Sequence, residues 1–151
     1  FWHRRYLEIG CDKDETFGPL EETFDLAVGV DPVRGGTHRI SSDDFFAGNN
    51  ETFDLIFVDG LHSAEQVLRD VENSLAFLEE QGTIVLHDCN PRHEVSQWYP
   101  QPPKNNAVHA WNGDVWKAVV NLRTWPGIEV VVRYGSDRLA AAGRFPTLRS
   151  V

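Results

Sequence analysis

Four short apolar runs punctuate the chain: Tyr6-Leu7-Glu8-Ile9, Leu26-Ala27-Val28-Gly29-Val30, Leu55-Ile56-Phe57-Val58 and Thr83-Ile84-Val85-Leu86. Each is nearly continuous rather than alternating, the pattern of strands buried on both faces in a parallel sheet. The first ends at Gly10, and the others run into Asp31, Asp59 and His87-Asp88. Between the third and fourth runs, Ala64, Val67, Leu68, Val71, Leu75 and Leu78 recur at helical spacing, which predicts one apolar stripe lying on a sheet. Ser63 with Gln66 three residues later predicts a capping box, and Gly82 the stop before the next strand. A strand, a helix and another apolar strand form a right-handed crossover, so the strands at 53–59 and 83–88 are expected to be parallel. The fold class is α/β.

A second amphipathic helix is expected after Asp114 as N-cap, with Val115, Ala118, Val119 and Leu122 on one face and an end near Trp125-Pro126-Gly127. Ile128 to Tyr134 and Leu139 to Ala142 read as two strands joined by the Gly135-Ser136-Asp137 turn, an antiparallel hairpin at the C-terminal end of the sheet. Thr37 to Ser41 reads as a short edge strand. The stretch from Asn90 to Gly113 has four prolines, little periodicity and the aromatics Trp98, Tyr99 and Trp111. Irregular segments this long are either lids or disordered, and the position directly after an acidic strand end favours a lid facing a substrate.

With 151 residues and 41% hydrophobic content, the chain is long enough for one core and reads as a single domain, 1–151. It contains no Met and opens on Phe1-Trp2-His3, so an N-terminal segment of the gene product is expected to be missing. No apolar run approaches the roughly 18 to 20 residues that a membrane-spanning helix needs. A net charge of -9, from 23 acidic against 14 basic residues, disfavours a nucleic-acid partner, whose binding draws on Lys and Arg. Cys11 and Cys89 form neither a CxxC pair nor a zinc spacing, which fits free buried thiols and a cytoplasmic location. A small-molecule substrate is the expected partner, with a homo-oligomer left open.

In open parallel sheets ligands sit beyond the carboxyl ends of the strands, where the strand order reverses. Those ends collect Glu8-Ile9-Gly10-Cys11-Asp12, Asp31-Pro32, Asp59-Gly60-Leu61-His62 and His87-Asp88-Cys89-Asn90. Gly10 stands where the chain must turn sharply and admit a ligand close to the backbone. Asp31 follows at about the distance at which an acid grips ribose hydroxyls in nucleotide-binding folds. Together they favour a cofactor bearing adenosine. A dinucleotide site wants G-x-G-x-x-G to hold pyrophosphate, but the turn here reads Gly10-Cys11-Asp12-Lys13-Asp14-Glu15, whose acids repel phosphate. S-adenosylmethionine carries no phosphate and two cationic groups, so an acidic turn suits it. Asp14 and Glu15 also fit a solvated acidic helix start.

At this point the residues resemble a family. Tyr6-Leu-Glu-Ile-Gly10, Val30-Asp31-Pro32, Phe53-Asp-Leu-Ile-Phe-Val-Asp-Gly-Leu-His62, Gly82-Thr-Ile-Val-Leu-His-Asp-Cys-Asn-Pro91 and Trp111-Asn-Gly-Asp-Val-Trp-Lys117 are similar to bacterial class I methyltransferases of the methyltransferase-24 type. The resemblance implies a Rossmann-like, mostly parallel sheet with helices on both faces and the antiparallel C-terminal hairpin. It implies that Glu8 and Gly10, with Asp12 in the same turn, line the methionine end of S-adenosylmethionine. Asp31 would bind the ribose, Ser42 and Asp43 would sit beside the adenine, and Asp59 beneath the transferable methyl. The first motif departs from the family pattern, because Asp12 and Asp14 stand where its second and third glycines are usual; this bears on cofactor affinity.

Related O-methyltransferases bind a divalent metal through acids after the fourth and fifth strands. Asp59 and Asp88 match those positions, with His62, His87 or Asn90 as further ligands. Such a metal would lower the pKa of a substrate hydroxyl. Without one, His87 or His62 would be the general base, so Asp59, His62, His87 and Asp88 are the candidate catalytic residues. The leading expectation is O-methylation of a small hydroxylated acceptor such as a sugar or polysaccharide unit. The alternatives are a metal-dependent hydrolase using the same four residues, and a degenerate methyltransferase fold that serves as a binding module.

Overall fold

The computed structural model describes residues 4–103, 111–133 and 139–143. Within them the chain forms β1 (Arg5–Ile9), α1 (Phe17–Glu21), β2 (Leu26–Val30), α2 (Ser42–Gly48), β3 (Phe53–Val58), α3 (Ala64–Phe77), β4 (Leu78–Leu86), a 3-10 turn (Glu94–Gln97), α4 (Val115–Leu122), β5 (Glu129–Val132) and β6 (Ala140–Gly143). The strands make one sheet in the order β2-β1-β3-β4-β6-β5. The first four are mutually parallel, and β6 lies antiparallel between β4 and β5. This is the mostly parallel α/β sheet with an antiparallel C-terminal pair that the apolar runs predict. From β1 the chain crosses to β2 on one edge and later lays β3 on the other, so the strand order reverses at β1/β3 and opens a crevice beyond their carboxyl ends.

The continuous apolar runs are explained by what covers each face. Along β1, Leu7 and Ile9 point to the side where Ile56, Val58, Ile84 and Leu86 meet Phe45 and Phe46 of α2, Val67 and Val71 of α3, and Val115 and Val119 of α4. Tyr6 points the other way, with Ala27, Leu55 and Phe57, against Phe17 and Leu20 of α1 and Phe24. Because both sides of the central strands are covered, polar alternation is absent from them. Leu7, Ile56, Ile84 and Leu86 are fully buried, each contributing roughly 1.5–3 kcal/mol of burial.

Several local expectations are corrected. The stretch 37–41 is not a strand but touches β2 through a single parallel bridge, Val30 to His38. Gly35 and Gly36, both at positive φ, fold the chain tightly just before it, Gly35 against the Asp12 backbone and Gly36 against Gly29, and Ser41 then caps α2 by accepting a hydrogen bond from Asp44 N at 3.1 Å. No capping box forms at Ser63, whose side chain makes no cap bond. Gln66 turns away instead, donating to Ser42 Oγ, Asp43 Oδ1 and Asp70 Oδ1. The first turn of α3 is capped from a distance: Ala64 N donates to Asp114 Oδ1 at 2.7 Å. Gly82 does not terminate α3, which ends at Phe77 and passes straight into β4. Phe53 pairs with Leu78 and Leu55 with Thr83, so residues 79–82 bulge out of the ladder and Gly82 closes the bulge against Leu78. Asp114 precedes α4 as expected, with Val115, Ala118, Val119 and Leu122 buried, but its side chain makes no cap bond to its own helix: Oδ1 caps α3 and Oδ2 accepts from Lys117 Nζ at 3.0 Å. The Gly135-Ser136-Asp137 turn, Tyr134 and the middle of the expected lid, 104–110, lie outside the described residues.

Candidate active site

The strand ends enclose one cleft of about 660 Å³, and ten of the residues singled out from the sequence line it: Glu8, Gly10 and Asp12 after β1, Asp31 after β2, Ser42 and Asp43 at the start of α2, Asp59 and His62 after β3, and His87 and Asp88 after β4. Asn90 is not among its lining residues.

The turn after β1 is shaped by close approach. Gly10 has φ +89°, and a Cβ there would sit 2.3 Å from the Asp59 carbonyl oxygen, so only glycine lets the turn lie against the end of β3. Asp12 and Asp14 adopt φ of +44° and +61°, the left-handed conformation for which Asp is, after Gly and Asn, among the better suited residues. Their side chains are used within the loops: Asp14 Oδ1 accepts from Gly36 N at 2.6 Å, and Asp12 pairs with Arg34. The unusual first motif thus keeps the backbone shape that glycines would give.

Asp31 welds the turns after β1 and β2 together. Its Oδ2 accepts from Cys11 N and Asp12 N at 3.1 and 3.0 Å, and its Oδ1 from Val33 N and Arg34 N at 2.7 and 2.9 Å. Burial opposes its ionisation, but the N–H groups of Arg34, Asp12, Val33 and Cys11 outweigh that and hold the carboxyl below its ordinary range. Glu8, 1% exposed, is governed by burial instead, which pushes its carboxyl up to about 7 although the Tyr6 hydroxyl donates to it.

At the other end, two acids and two histidines converge. His62 Nε2 lies 3.2 Å from Asp88 Oδ2 and 3.7 Å from Asp59 Oδ1, and His87 Nδ1 lies 3.1 Å from Asp59 Oδ1 and 3.2 Å from Asp88 Oδ2. The His87 contacts are ion-pair distances without hydrogen-bond alignment, so this buried nitrogen has no directed partner. Burial resists charge on Asp59, but His62 and His87 beside it pull its carboxyl down; Asp59 and Asp88 push His87 up to about 10, against its burial. His62 is also raised: burial opposes the charge, and Asp59, Asp88 and the Trp111 carbonyl overcome it. Asp88 itself sits at φ +56° in the turn that ends β4.

Sequence reasoning assigned no role to Asn112 or Asp70, took Gln66 only for a helix cap and took Trp111 only for an aromatic of the expected lid. Asn112, fully buried, donates from Nδ2 to Asp88 Oδ1. Trp111 stacks on His62 with ring centroids 4.8 Å apart, Tyr99 stacks on Trp111 at 6.3 Å, and Trp111 Nε1 donates to the Trp98 carbonyl at 2.6 Å. The described part of the expected lid therefore packs against His62 from behind, and none of its described residues lines the cleft itself. Gln66 and Asp70 back Ser42 and Asp43 from α3. The Trp-Asn-Gly-Asp run at 111–114 was the available signal, since its glycine marks a close approach.

Residues 8–89 match the methyltransferase-24 family, described as a methyltransferase domain. Among solved structures, a Podospora anserina methyltransferase, PaMTH1, bound to S-adenosylhomocysteine superposes with a TM-score of 0.67 at 19% identity, covering 95% of this chain and 73% of that one. A putative O-methyltransferase from Klebsiella pneumoniae also gives 0.67, at 15% identity over 94% and 73%. An O-methyltransferase from Bacillus cereus in complex with S-adenosylhomocysteine gives 0.61, at 14% identity over 93% and 74%. At these identities the likeness is one of fold. No curated protein matches the sequence. Among the described residues, no helix is long and apolar enough to cross a membrane.

Proposed function

Since the chain belongs to the methyltransferase-24 family and is a class I S-adenosylmethionine-dependent methyltransferase, we propose that it methylates a hydroxyl of a small acceptor, such as a sugar or polysaccharide unit, at the cluster of Asp59, His62, His87 and Asp88. The observation that carries this reading is that the cluster shares one cleft with the Gly10 turn, so a cofactor lying over the turn brings its methyl group to the acids and imidazoles. O-methyltransferases among the structural neighbours support the reaction class.

In this reading Gly10 leaves room for the cofactor backbone, and the Glu8 carboxylate faces the cationic methionine end. Asp31 holds the two turns against which the ribose lies, and Ser42 and Asp43, braced by Gln66, flank the adenine. The enzyme contributes mainly alignment and charge placement for an in-line transfer. The donor set fits a divalent cation. Asp59, His62 and Asp88 can each turn one ligand atom toward a common point, these atoms lying within 4.8 Å of one another, and the undirected His87 nitrogen stands beside the same carboxylate oxygens. Two oxygens and an imidazole suit Mg²⁺ less well than Mn²⁺, Fe²⁺ or Zn²⁺. Held by Asp59, His62 and Asp88, the cation would supply Lewis acidity that lowers the pKa of the acceptor hydroxyl. Trp111, stacked on His62, backs the imidazole at the reacting end.

The reading is tested by incubating the protein with methyl-labelled S-adenosylmethionine and a panel of hydroxylated acceptors, with and without chelator. Label should appear as an O-methyl product, fall with chelator and return with Mn²⁺. Cofactor binding without label on any hydroxyl would count against O-methylation.

A further inference from the structure

We propose that residues 111–114 form a positioning strap that decides which nitrogen of His62 and which oxygen of Asp88 are presented to the cleft. The carbonyl oxygen of Trp111 accepts a hydrogen bond from His62 Nδ1 at 3.1 Å. A carbonyl can only accept, so Nδ1 must carry a proton, and Nε2 is the atom turned toward Asp88 Oδ2 and Asp59 Oδ1. The Trp111 ring, stacked on the imidazole with planes 26° apart, blocks rotation out of this pose. Asn112 does the same for the acid: its amide occupies Asp88 Oδ1, which leaves Oδ2 for the cluster.

The strap is anchored at both ends. Asn112 N donates to the Ser96 carbonyl at 2.8 Å, and Asp114 N to the His62 carbonyl at 3.2 Å. Asp114 Oδ1 then takes the Ala64 N–H at the start of α3, two residues beyond His62. Between these anchors Gly113, at φ +61°, passes so close that a Cβ would lie 1.8 Å from the His62 carbonyl oxygen. The segment thus holds the backbone of His62, the ring of His62 and the side chain of Asp88 in one unit. Partners of this kind, one step removed from a reacting or ligating group, fix its tautomer and orientation. Asn112 and Trp111 are accordingly positioning residues, and both lie beyond the stretch that matches the family, residues 8–89.

The inference rests on the proposed reading of the cluster as the reacting end of the cleft, but its test reads His62 itself. In long-range ¹⁵N spectra of the imidazole rings of the full chain, neutral His62 should carry its proton on Nδ1 and leave Nε2 bare. A neutral His62 protonated at Nε2 would overturn the proposal whether or not methyl transfer is ever found. The paired variant is Asn112→Asp, which keeps the shape but sets an acceptor against Asp88. S-adenosylhomocysteine affinity should stay within about twofold, while Mn²⁺ affinity falls roughly 10- to 100-fold and the His62 ring resonances shift. Unchanged Mn²⁺ affinity and unchanged His62 resonances in a folded Asn112→Asp protein would also overturn it.

Discussion

Replacing Glu8 by Gln should make the protein's stability less dependent on pH. Glu8 is 1% exposed, and burial lifts its carboxyl from an ordinary 4.5 to about 7. The folded state therefore holds this proton more tightly than the unfolded chain does. As pH rises from the unfolded value through the folded one, the unfolded chain ionises first and the folded state loses ground; above the folded value the loss is complete and constant. Between about pH 5 and about pH 8 the penalty grows by about 2.5 kcal/mol. Gln keeps an acceptor for the Tyr6 hydroxyl, which donates to Glu8, so the neutral-state contacts survive. Urea unfolding of both proteins at the two pH values measures the effect: the stability of the variant relative to the parent should rise by about 2.5 kcal/mol between them, some 5 to 10 °C in Tm for a chain of this size. Parallel curves would show that Glu8 is not held neutral by burial. Because Glu8 lines the cleft, a bound cation favours its ionised form, and cofactor uptake near neutral pH should release protons, seen as a buffer-dependent heat.

Asp31→Asn leaves only one oxygen for four backbone donors; it should destabilise the fold by roughly 2–3 kcal/mol in urea unfolding and weaken cofactor binding more than tenfold in calorimetry. Asp114→Ala removes the distant cap of α3 and should cost about 0.5–2 kcal/mol by thermal unfolding, while Asp114→Asn, which retains the acceptor, should recover most of it. Gly10→Ala drives a methyl group to 2.3 Å from the Asp59 carbonyl, so S-adenosylhomocysteine affinity should drop at least tenfold while far-UV circular dichroism stays close to that of the parent.

The sheet was legible because its central strands are buried on both faces, which leaves nearly continuous apolar runs at 6–9, 26–30, 55–58 and 83–86. The cleft was legible for a related reason: parallel strands end on the same side, so the polar residues that close each run must collect there, and they do. What escaped was set by contacts far apart in the sequence. Gln66 looked like a capping residue but bonds Ser42 and Asp43. Asp114 looked like the cap of its own helix but closes another, 50 residues away. The short helices α1 and α2 carry only one and two buried residues, too few for a periodic stripe. Asn112 sits in the Trp-Asn-Gly-Asp run, but no local pattern could give it a role, since its importance lies in reaching Asp88 across the fold.

The measurement that bears most directly on the account is calorimetric titration of the protein with S-adenosylhomocysteine, followed by the same titration of Gly10→Ala. Micromolar, one-to-one binding that weakens at least tenfold in the variant is the result predicted. Absence of any heat, with no thermal shift on adding the ligand to the folded protein, would contradict the assignment of this cleft to S-adenosylmethionine.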